Sequence, residues 1–198
     1  MDQPKVMRLA PRVDLDTPLC QAGRLILMHA GEDLDREGIR RTPERFANAY
    51  RFLLDGYEMT VQDAIGEGVF EAEGQGDLVA VRGIEFYSLC EHHVLPFWGQ
   101  AEIRYYPDGK ILGLSKFPRL VDIFARRLQV QERLTHQVAQ AVMDAVQARA
   151  VHVRIVAQHL CMMMRGVEKQ LSDTLTEVTL GIEQLNSFQQ ARLLQPHP

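Results

Sequence analysis

The stretch from Ala150 to Cys161 restricts the fold more than any other part of the sequence. Within it, Val151, Val153, Ile155 and Ala157 alternate with polar residues. Such alternation is typical of a β-strand that buries one face against a core and leaves the other face polar. A strand needs neighbours to satisfy its backbone N–H and C=O groups, so we expect a sheet built around this segment.

The order of the other segments predicts an α+β protein. Before residue 78, apolar residues recur at helical spacing over 18–29 and from Thr42 to about Asp55, and the acidic, glycine-rich stretch 58–77 is predicted to be a loop. The elements predicted after it are strands over 79–89 and 97–106, a short strand over 111–114, helices over 117–128 and 131–149, strands over 150–161 and 175–182, and a tail that begins as a helix. The first dozen residues lack periodicity and are predicted to form a loose arm.

We therefore expect the chain to have two parts. Residues 1–77 would form an N-terminal helical section that ends in the acidic loop. Residues 78–198 would form a domain in which the order β-β-α-α-β-β gives a mostly antiparallel sheet with helices on one face.

Composition excludes several classes of protein. With 198 residues, 46% hydrophobic and 24% charged, the chain resembles an ordinary globular protein, and its net charge of −4 argues against general nucleic-acid binding. No apolar run approaches the ~18 residues of a membrane span, and the first residues lack the apolar core of a secretory signal. Three cysteines, an odd and sparse set, suit a reducing compartment, so we expect a cytoplasmic protein.

Cysteine and histidine side chains cluster at two places. In the sequence CEHH at residues 90–93, a thiolate and an imidazole lie three residues apart, so one tight turn can present both to a cation. His159 and Cys161 end the alternating stretch, and residues two apart share a face of a strand. The alternative is that these two are core residues, since they extend the apolar face and a buried cysteine is common.

The two clusters together fit a zinc site. Cys90, His93 and Cys161 would leave the fourth position of a tetrahedral site open, as in a catalytic zinc centre, whereas a structural site is closed by four protein ligands. The remaining polar groups of the clusters are candidates for proton transfer near neutral pH: His92, His159 and Glu91.

Residues 113–119, with the sequence GLSKFPR, follow a predicted strand and open a helix. Backbone N–H groups there, with Ser115, Lys116 and Arg119, would hold a phosphate. Residues 104–133 carry a net charge of +4 while the rest of the chain sums to −8, which supports an anion site. A solvated helix face capped by Ser115 is an equally good interpretation.

Two further charged residues have open interpretations. Glu132 lies in the first turn of a predicted helix, where the helix dipole favours a carboxylate, and this is the simpler explanation. The same carboxylate can also accept two N–H bonds from a guanine-like edge. Arg165 follows the second cluster and is either an anion ligand or a surface arginine.

Four motifs occur along the chain in a specific order: SLCEHH at 88–93, GLSK at 113–116, QVQERLT at 129–135 and HLCMMMRG at 159–166. Together they resemble GTP cyclohydrolase I, over about residues 31–181. The resemblance implies a tunnel-fold subunit in a homodecamer of two pentameric rings, with active sites between neighbouring subunits. It also implies that GTP and water are converted to formate and 7,8-dihydroneopterin triphosphate, the first step toward folate or biopterin.

The resemblance implies roles for individual residues near the metal. Three of them would bind zinc, which activates the water that attacks C8 of the purine: Cys90, His93 and Cys161. His159 would protonate the imidazole ring at N7, and His92 would assist ring opening and formate release. Gln131 would lie near the ring that opens.

The resemblance also implies a set of substrate contacts. Glu132 would hold the guanine edge, in place of the simpler helix-dipole role. Ser115 would contact the ribose or phosphate and help the later rearrangement and ring closure. Four basic residues would grip the triphosphate: Lys116, Arg119, Arg165 and Arg45.

Three functions remain in competition at this level. The first and favoured one is GTP cyclohydrolase I; the second is a tunnel-fold paralogue that acts on a related purine or pterin; the third is a non-catalytic module that holds zinc and binds nucleotide. Glu177 stands where the family has a small residue, and it keeps the second open. The open fourth zinc position argues against the third. A zinc base-deaminase is disfavoured, because no His-x-Glu paired with Pro-Cys-x-x-Cys is present.

Overall fold

A computed structural model of the protein describes residues 17–72 and 76–195. The predicted N-terminal arm lies outside these residues. The described residues up to Phe52 form one compact unit, and those from Leu53 onward form a second. The predicted division of the chain after residue 77 stays a prediction.

The first unit contains two helices, α1 (Pro18–His29) and α2 (Thr42–Leu53), as the helical spacing predicts. Thr17 caps α1 by accepting a hydrogen bond from the backbone N–H of Cys20 at 3.4 Å. Cys20 and Ala47 are fully buried and pack together. Cys20, the one cysteine outside the two Cys–His clusters, is therefore a packing residue of this unit.

The second unit contains the sheet. Its strands are β1 (Val69–Glu71), β2 (Val79–Cys90), β3 (Pro96–Tyr106), β4 (Lys110–Leu112), β5 (Leu128–Gln129), β6 (Ala150–His159) and β7 (Thr174–Leu180). Its helices are α3 (Val61–Ile65), α4 (Lys116–Ala125), α5 (Gln131–Val146), α6 (Leu160–Met163) and α7 (Ser187–Leu194), with short 3-10 turns at Asp55–Glu58 and Ile182–Gln184. None of the helices in the described ranges has the length and apolarity needed to cross a membrane.

The helices predicted over 117–128 and 131–149 end at Ala125 and Val146, and the strand predicted over 111–114 ends at Leu112. Two other predictions miss whole elements. The predicted loop over 58–77 contains the short helix α3, which a capping box at Thr60 begins, and the strand β1. The predicted strand over 150–161 ends at His159, because the next four residues form the helical turn α6. Both errors concern elements of three to five residues, which are too short to show a hydrophobic period.

The main sheet has five strands in the order β5-β2-β3-β6-β7. The pairs β2–β3, β3–β6 and β6–β7 are antiparallel, whereas the two-residue strand β5 runs parallel to β2. β1 and β4 form a separate antiparallel pair. The prediction of an α+β protein with mostly antiparallel pairing is confirmed.

Helices α4 and α5 pack against one face of the five-stranded sheet and enclose the main core. The largest fully buried side chains of this core are Phe86, Phe97, Ile103, Tyr105 and Ile155 from the strands and Phe117, Leu120 and Leu134 from the helices. The prediction that the helices share one face holds for these two. It is wrong for α7. This helix lies on the opposite face of the sheet, where its buried Leu193 packs with Tyr106 and Ala150.

Arg104 joins α7 to the opposite face of the sheet. Its side chain is 2% exposed and donates to the backbone oxygens of Leu193, at 3.1 Å, and Gln195. Its Nε atom lies 2.6 Å from Oε1 of Glu102. Arg104 thus satisfies carbonyls at the C-terminal end of the helix and a half-buried carboxylate at the same time.

Replacing Arg104 by methionine is expected to lower the free energy of unfolding by about 3–5 kcal/mol, since it leaves Glu102 without its cation. Urea unfolding followed by circular dichroism measures this change. Arg154 on the neighbouring strand is the matched control. Its pair with Glu177 is partly exposed, so Arg154→Met should cost only about 0–1 kcal/mol. Equal losses in the two variants would contradict the assigned role of Arg104.

Candidate metal centre

Cys90, His93 and Cys161 come together at one end of the sheet, with their ligand atoms all within 4.8 Å of one another. Cys90 ends β2, and a turn follows in which its backbone oxygen accepts from the N–H of His93 at 3.3 Å and of Val94 at 2.8 Å. That turn brings the imidazole back toward the thiol. Cys161 lies in α6, two residues beyond the end of β6, and not on the strand face that the alternation predicts.

These three side chains can hold a metal ion. Burial raises the pKa of the Cys161 thiol, and the nearby Cys90 raises it further, since two adjacent thiolates repel each other. A divalent cation would offset that repulsion. Thiolate and imidazole are donors that zinc prefers, and a set of three leaves one position open for water or substrate.

The two other polar residues of the turn have different surroundings. His92 is largely exposed, and its Nδ1 atom lies 3.7 Å from Sγ of Cys90. Glu91 forms a bidentate ion pair with Arg133, at 2.7 and 3.1 Å, and this pair lowers the pKa of the Glu91 carboxyl. Glu91 is therefore ionised near neutral pH, which favours a role as an anchor of the turn on α5 over a role as a proton donor.

His159 ends β6 beside this group of donors. Its ring stacks on Phe97, with centroids 4.5 Å apart and planes inclined by 2°, and its Nε2 atom lies 2.8 Å from Oε1 of Gln131. Burial lowers the pKa of His159, and the negative charge of Glu132 raises it in part. His159 is thus neutral near pH 7, with its ring plane and one nitrogen held by the protein.

The side chains of Phe97 and Arg133 were not assigned a role from the sequence. Phe97 lies opposite His159 in the register of β3 and β6. Arg133 is 42 positions away from Glu91, so its contact depends on how α5 packs beside the turn. The register of two adjacent strands is the signal that could have found Phe97; the sequence offers none for Arg133.

The candidate phosphate residues lie at two places in the second unit. Arg165 follows α6, and its Nη1 atom lies 3.4 Å from Nε2 of His93. Ser115, Lys116 and Arg119 lie at the start of α4, where Ser115 and Arg119 are exposed. The Ser115 side chain makes no capping hydrogen bond, which removes the capping explanation for this residue. Among the contacts of residues 17–72 and 76–195, no hydrogen bond or ion pair joins these three to the Cys–His group.

The last two candidates are Glu132 and Arg45. Glu132 is an exposed residue in the first turn of α5, close enough to affect the charge of His159. Arg45 is an exposed residue of α2 in the first unit.

Glu177 lies on the side of β7 that faces away from Gln131. Thr176, its neighbour, contacts Gln131, and side chains alternate along a strand. Glu177 pairs in register with Arg154, at 3.4 Å, and lies 3.9 Å from Nε2 of His152. Within this subunit, its charge is therefore compensated by Arg154 on the other face of the sheet.

Comparison with known proteins identifies one family that covers most of the chain. The model of one family, GTP cyclohydrolase I, matches residues 19–197. A GTP cyclohydrolase 1 from Chromohalobacter salexigens is 54% identical over 158 residues, which are 80% of this chain and 85% of that protein. A GTP cyclohydrolase 1 from Methylococcus capsulatus is 50% identical over 169 residues, 85% of this chain and 91% of that protein. A third, from Pseudomonas aeruginosa, is 52% identical over 167 residues, 84% of this chain and 89% of that protein.

Proposed function

Because the chain belongs to the GTP cyclohydrolase I family, we propose that Cys90, His93 and Cys161 form the zinc site at which it opens the imidazole ring of GTP. Its activity is that of the family: GTP and water give formate and 7,8-dihydroneopterin triphosphate. The observation that supports the site best is the convergence of two thiols and an imidazole within 4.8 Å, next to a half-buried histidine whose pKa is lowered by burial.

A zinc ion held by these three residues would supply Lewis-acid activation of water for attack on C8, because such a metal strongly lowers the pKa of a water that it binds. The protein residues around it bind and orient the purine and move protons. Glu91 anchors the turn that carries His93 through its pair with Arg133. His92, with its ring next to Cys90, assists the later release of formate.

His159 is the proposed proton donor to N7 of the purine. Its low pKa means that the imidazolium, once formed, readily gives its proton away. Stacking on Phe97 fixes the ring plane, so the proton is delivered in one direction. Gln131 holds the other side of the ring through the 2.8 Å contact to Nε2.

Other residues are proposed to bind the rest of the substrate. Glu132 accepts two N–H bonds from the guanine edge, and Ser115 contacts the ribose or phosphate. The triphosphate is held by the four basic residues Lys116, Arg119, Arg165 and Arg45. The net charge of +4 over residues 104–133 supports an anion site here. The Ser115 side chain makes no capping hydrogen bond, which supports its role as a substrate contact.

We further propose that the subunit has the tunnel fold, with residues 78–198 as the catalytic domain. It would assemble into a homodecamer of two pentamers, with active sites between neighbours, in the cytoplasm. The mixed sheet with α4 and α5 on one face supports the fold. Large apolar side chains are exposed on the single subunit, among them Leu171 at 98%, as an assembling protein would require. Sedimentation of the purified protein tests the decamer.

The direct test of function is an incubation of the zinc-loaded protein with GTP. Formate and the fluorescent pterin obtained by oxidising the product are measured in the same samples. We expect equal amounts of both. Neither product, with zinc bound and GTP intact, would contradict the assigned reaction, and formate without pterin would restrict it to ring opening.

Replacing Arg165 by alanine is expected to lower kcat/KM for GTP by about 10- to 150-fold, mainly through a higher KM, since one charge-assisted phosphate contact is worth ~1.5–3 kcal/mol. Initial-rate kinetics measure the effect. The matched control is Arg82→Ala, which removes an exposed arginine of β2 that has no assigned role at the site. Unchanged kinetics in the Arg165 variant would remove this residue from the triphosphate site.

A further inference from the structure

A cluster of charged residues lies on the face of the sheet opposite the main core, next to the C-terminal end of α7. Strand register arranges its members in two rows that cross β3, β6 and β7. Residues two apart on a strand share a face, so both rows lie on the same side of the sheet. The outer row consists of Glu102, Arg154 and Glu177, and the inner row, nearer to α7, of Arg104, His152 and Thr179.

Burial increases along this face toward α7. The side chains of Arg154 and Glu177 in the outer row are 34% and 47% exposed, whereas those of Arg104 and His152 in the inner row are 2% and 6% exposed. The row beyond the inner one packs against Leu193 of α7. Arg104 donates to two backbone oxygens at the end of the same helix. The C-terminal helix is therefore the element that keeps the inner row, with its histidine, away from solvent.

The charges of the two rows cancel as long as His152 is neutral. Arg104 lies 2.6 Å from Glu102, and Arg154 lies 3.4 Å from Glu177, so two cations face two carboxylates. His152 adds a titratable ring to this balanced group, with its Nε2 atom 3.9 Å from Glu177. A proton on that ring would place a further positive charge in a buried position, in register with Arg104 on the adjacent strand.

The surroundings of the ring oppose its protonation. Burial lowers the pKa of His152, and the two arginines of the rows lower it further, while Glu177 and Glu102 raise it in part. The nearby charged residues of α7 and of the turn before it, Arg192 and Glu183, are exposed. An imidazole in water has a pKa of about 6.5, so a ring released from under the helix takes up a proton more readily than the covered ring does.

We propose that His152 makes the docking of α7 on the sheet dependent on pH. At neutral pH the uncharged ring stays under the helix, with Nδ1 2.9 Å from the hydroxyl of Thr179. In acid, the protonated ring attracts Glu177 and repels Arg104, which then no longer holds the carbonyls at the end of α7. Detachment of the helix therefore becomes easier as the pH falls below about 6.5 and is independent of pH well above that value. This cluster lies near the start of β6, whereas the Cys–His group lies beyond its end, so the inference does not depend on the proposed reaction.

Hydrogen–deuterium exchange of the zinc-loaded parent protein, measured by mass spectrometry and corrected for the intrinsic effect of pH on amide exchange, tests the proposal. We expect the opening constant of α7 to rise about 5- to 10-fold from about pH 7.5 to about pH 5.5, because opening takes up one proton. Helix α5, which packs on the other face of the sheet, is the internal reference and should keep its protection. An unchanged α7, or an equal rise in α5, would overturn the proposal, and this measurement needs no variant to fold.

The same exchange measurement on His152→Gln identifies the group responsible. Glutamine offers a polar group to the Thr179 hydroxyl but takes up no proton, so α7 should keep parental protection at about pH 7.5 and its rise in acid should fall below about 2-fold. Two matched controls should keep the parental rise: His136→Gln alters an exposed histidine of α5, and His197→Gln removes the histidine that follows α7 in the sequence. A parental rise in His152→Gln, or its loss in His197→Gln, would contradict the assignment to His152.

Discussion

Replacing Cys161 by serine is expected to remove the metal and the activity together. Cys161 supplies one of only two thiols among the three donors within 4.8 Å, and a serine hydroxyl stays protonated at neutral pH and binds zinc poorly. Without the metal, the pKa of the attacking water is no longer lowered, so formate release should fall on the order of 10³-fold or more. Zinc per chain, by atomic emission, and formate release are measured on the same preparation.

The matched control for this change is Cys20→Ser. Cys20 is fully buried in the first unit, where it packs against Ala47, so its replacement tests the general effect of losing a buried thiol. We expect parental zinc content and activity in that variant, with some loss of stability. Full activity of Cys161→Ser without bound metal would rule out the proposed use of the site.

The long elements could be predicted, apart from their last two or three residues, because their hydrophobic period is sustained. Alternation over residues 150–161 predicts β6, which ends at His159, and helical spacing predicts α1, α2, α4 and α5. The helical turn α6 was missed, since Leu160 and Cys161 extend the alternation while their backbone already turns. The separate pairing of β1 with β4 was also missed, because strands of three residues carry too little pattern.

The three candidate metal donors can be predicted from residue type, whereas the contacts around them cannot. Thiols and imidazoles are rare enough that two clusters of them in one chain indicate a shared site. Phe97 and Arg133 are common residue types whose contacts with the site depend on strand register and helix packing. Each contact joins positions that are tens of residues apart, as between Arg133 and Glu91, so no local spacing reveals it.

The position of Glu177 also depends on strand register, which the sequence does not show. From the sequence alone, this residue indicates a negative charge close to a triphosphate. The register of β7 with β6 pairs it with Arg154, on the face of the sheet away from Gln131. One residue of shift along the strand would have reversed that conclusion, since neighbouring side chains face opposite sides.

Replacing His159 by serine is expected to leave zinc bound and to block ring opening. The side chain is not among the three metal donors, and its ring is held by Phe97 and Gln131 instead. Removal of a positioned proton donor costs about 10²–10⁴ in rate, so formate release should fall by that factor. Zinc content and formate release are measured together, and both should stay parental in His136→Ser, which alters an exposed histidine of α5.

Comparing Cys161→Ser with His159→Ser separates metal binding from proton transfer. Loss of zinc in both would mean that His159 supports the metal site, and the proton-donor role would then lack support. Zinc retained in His159→Ser with formate released at the parental rate would contradict that role directly. Zinc retained with release blocked is the expected outcome, because a half-buried imidazole with a lowered pKa is then required for chemistry and not for holding the ion.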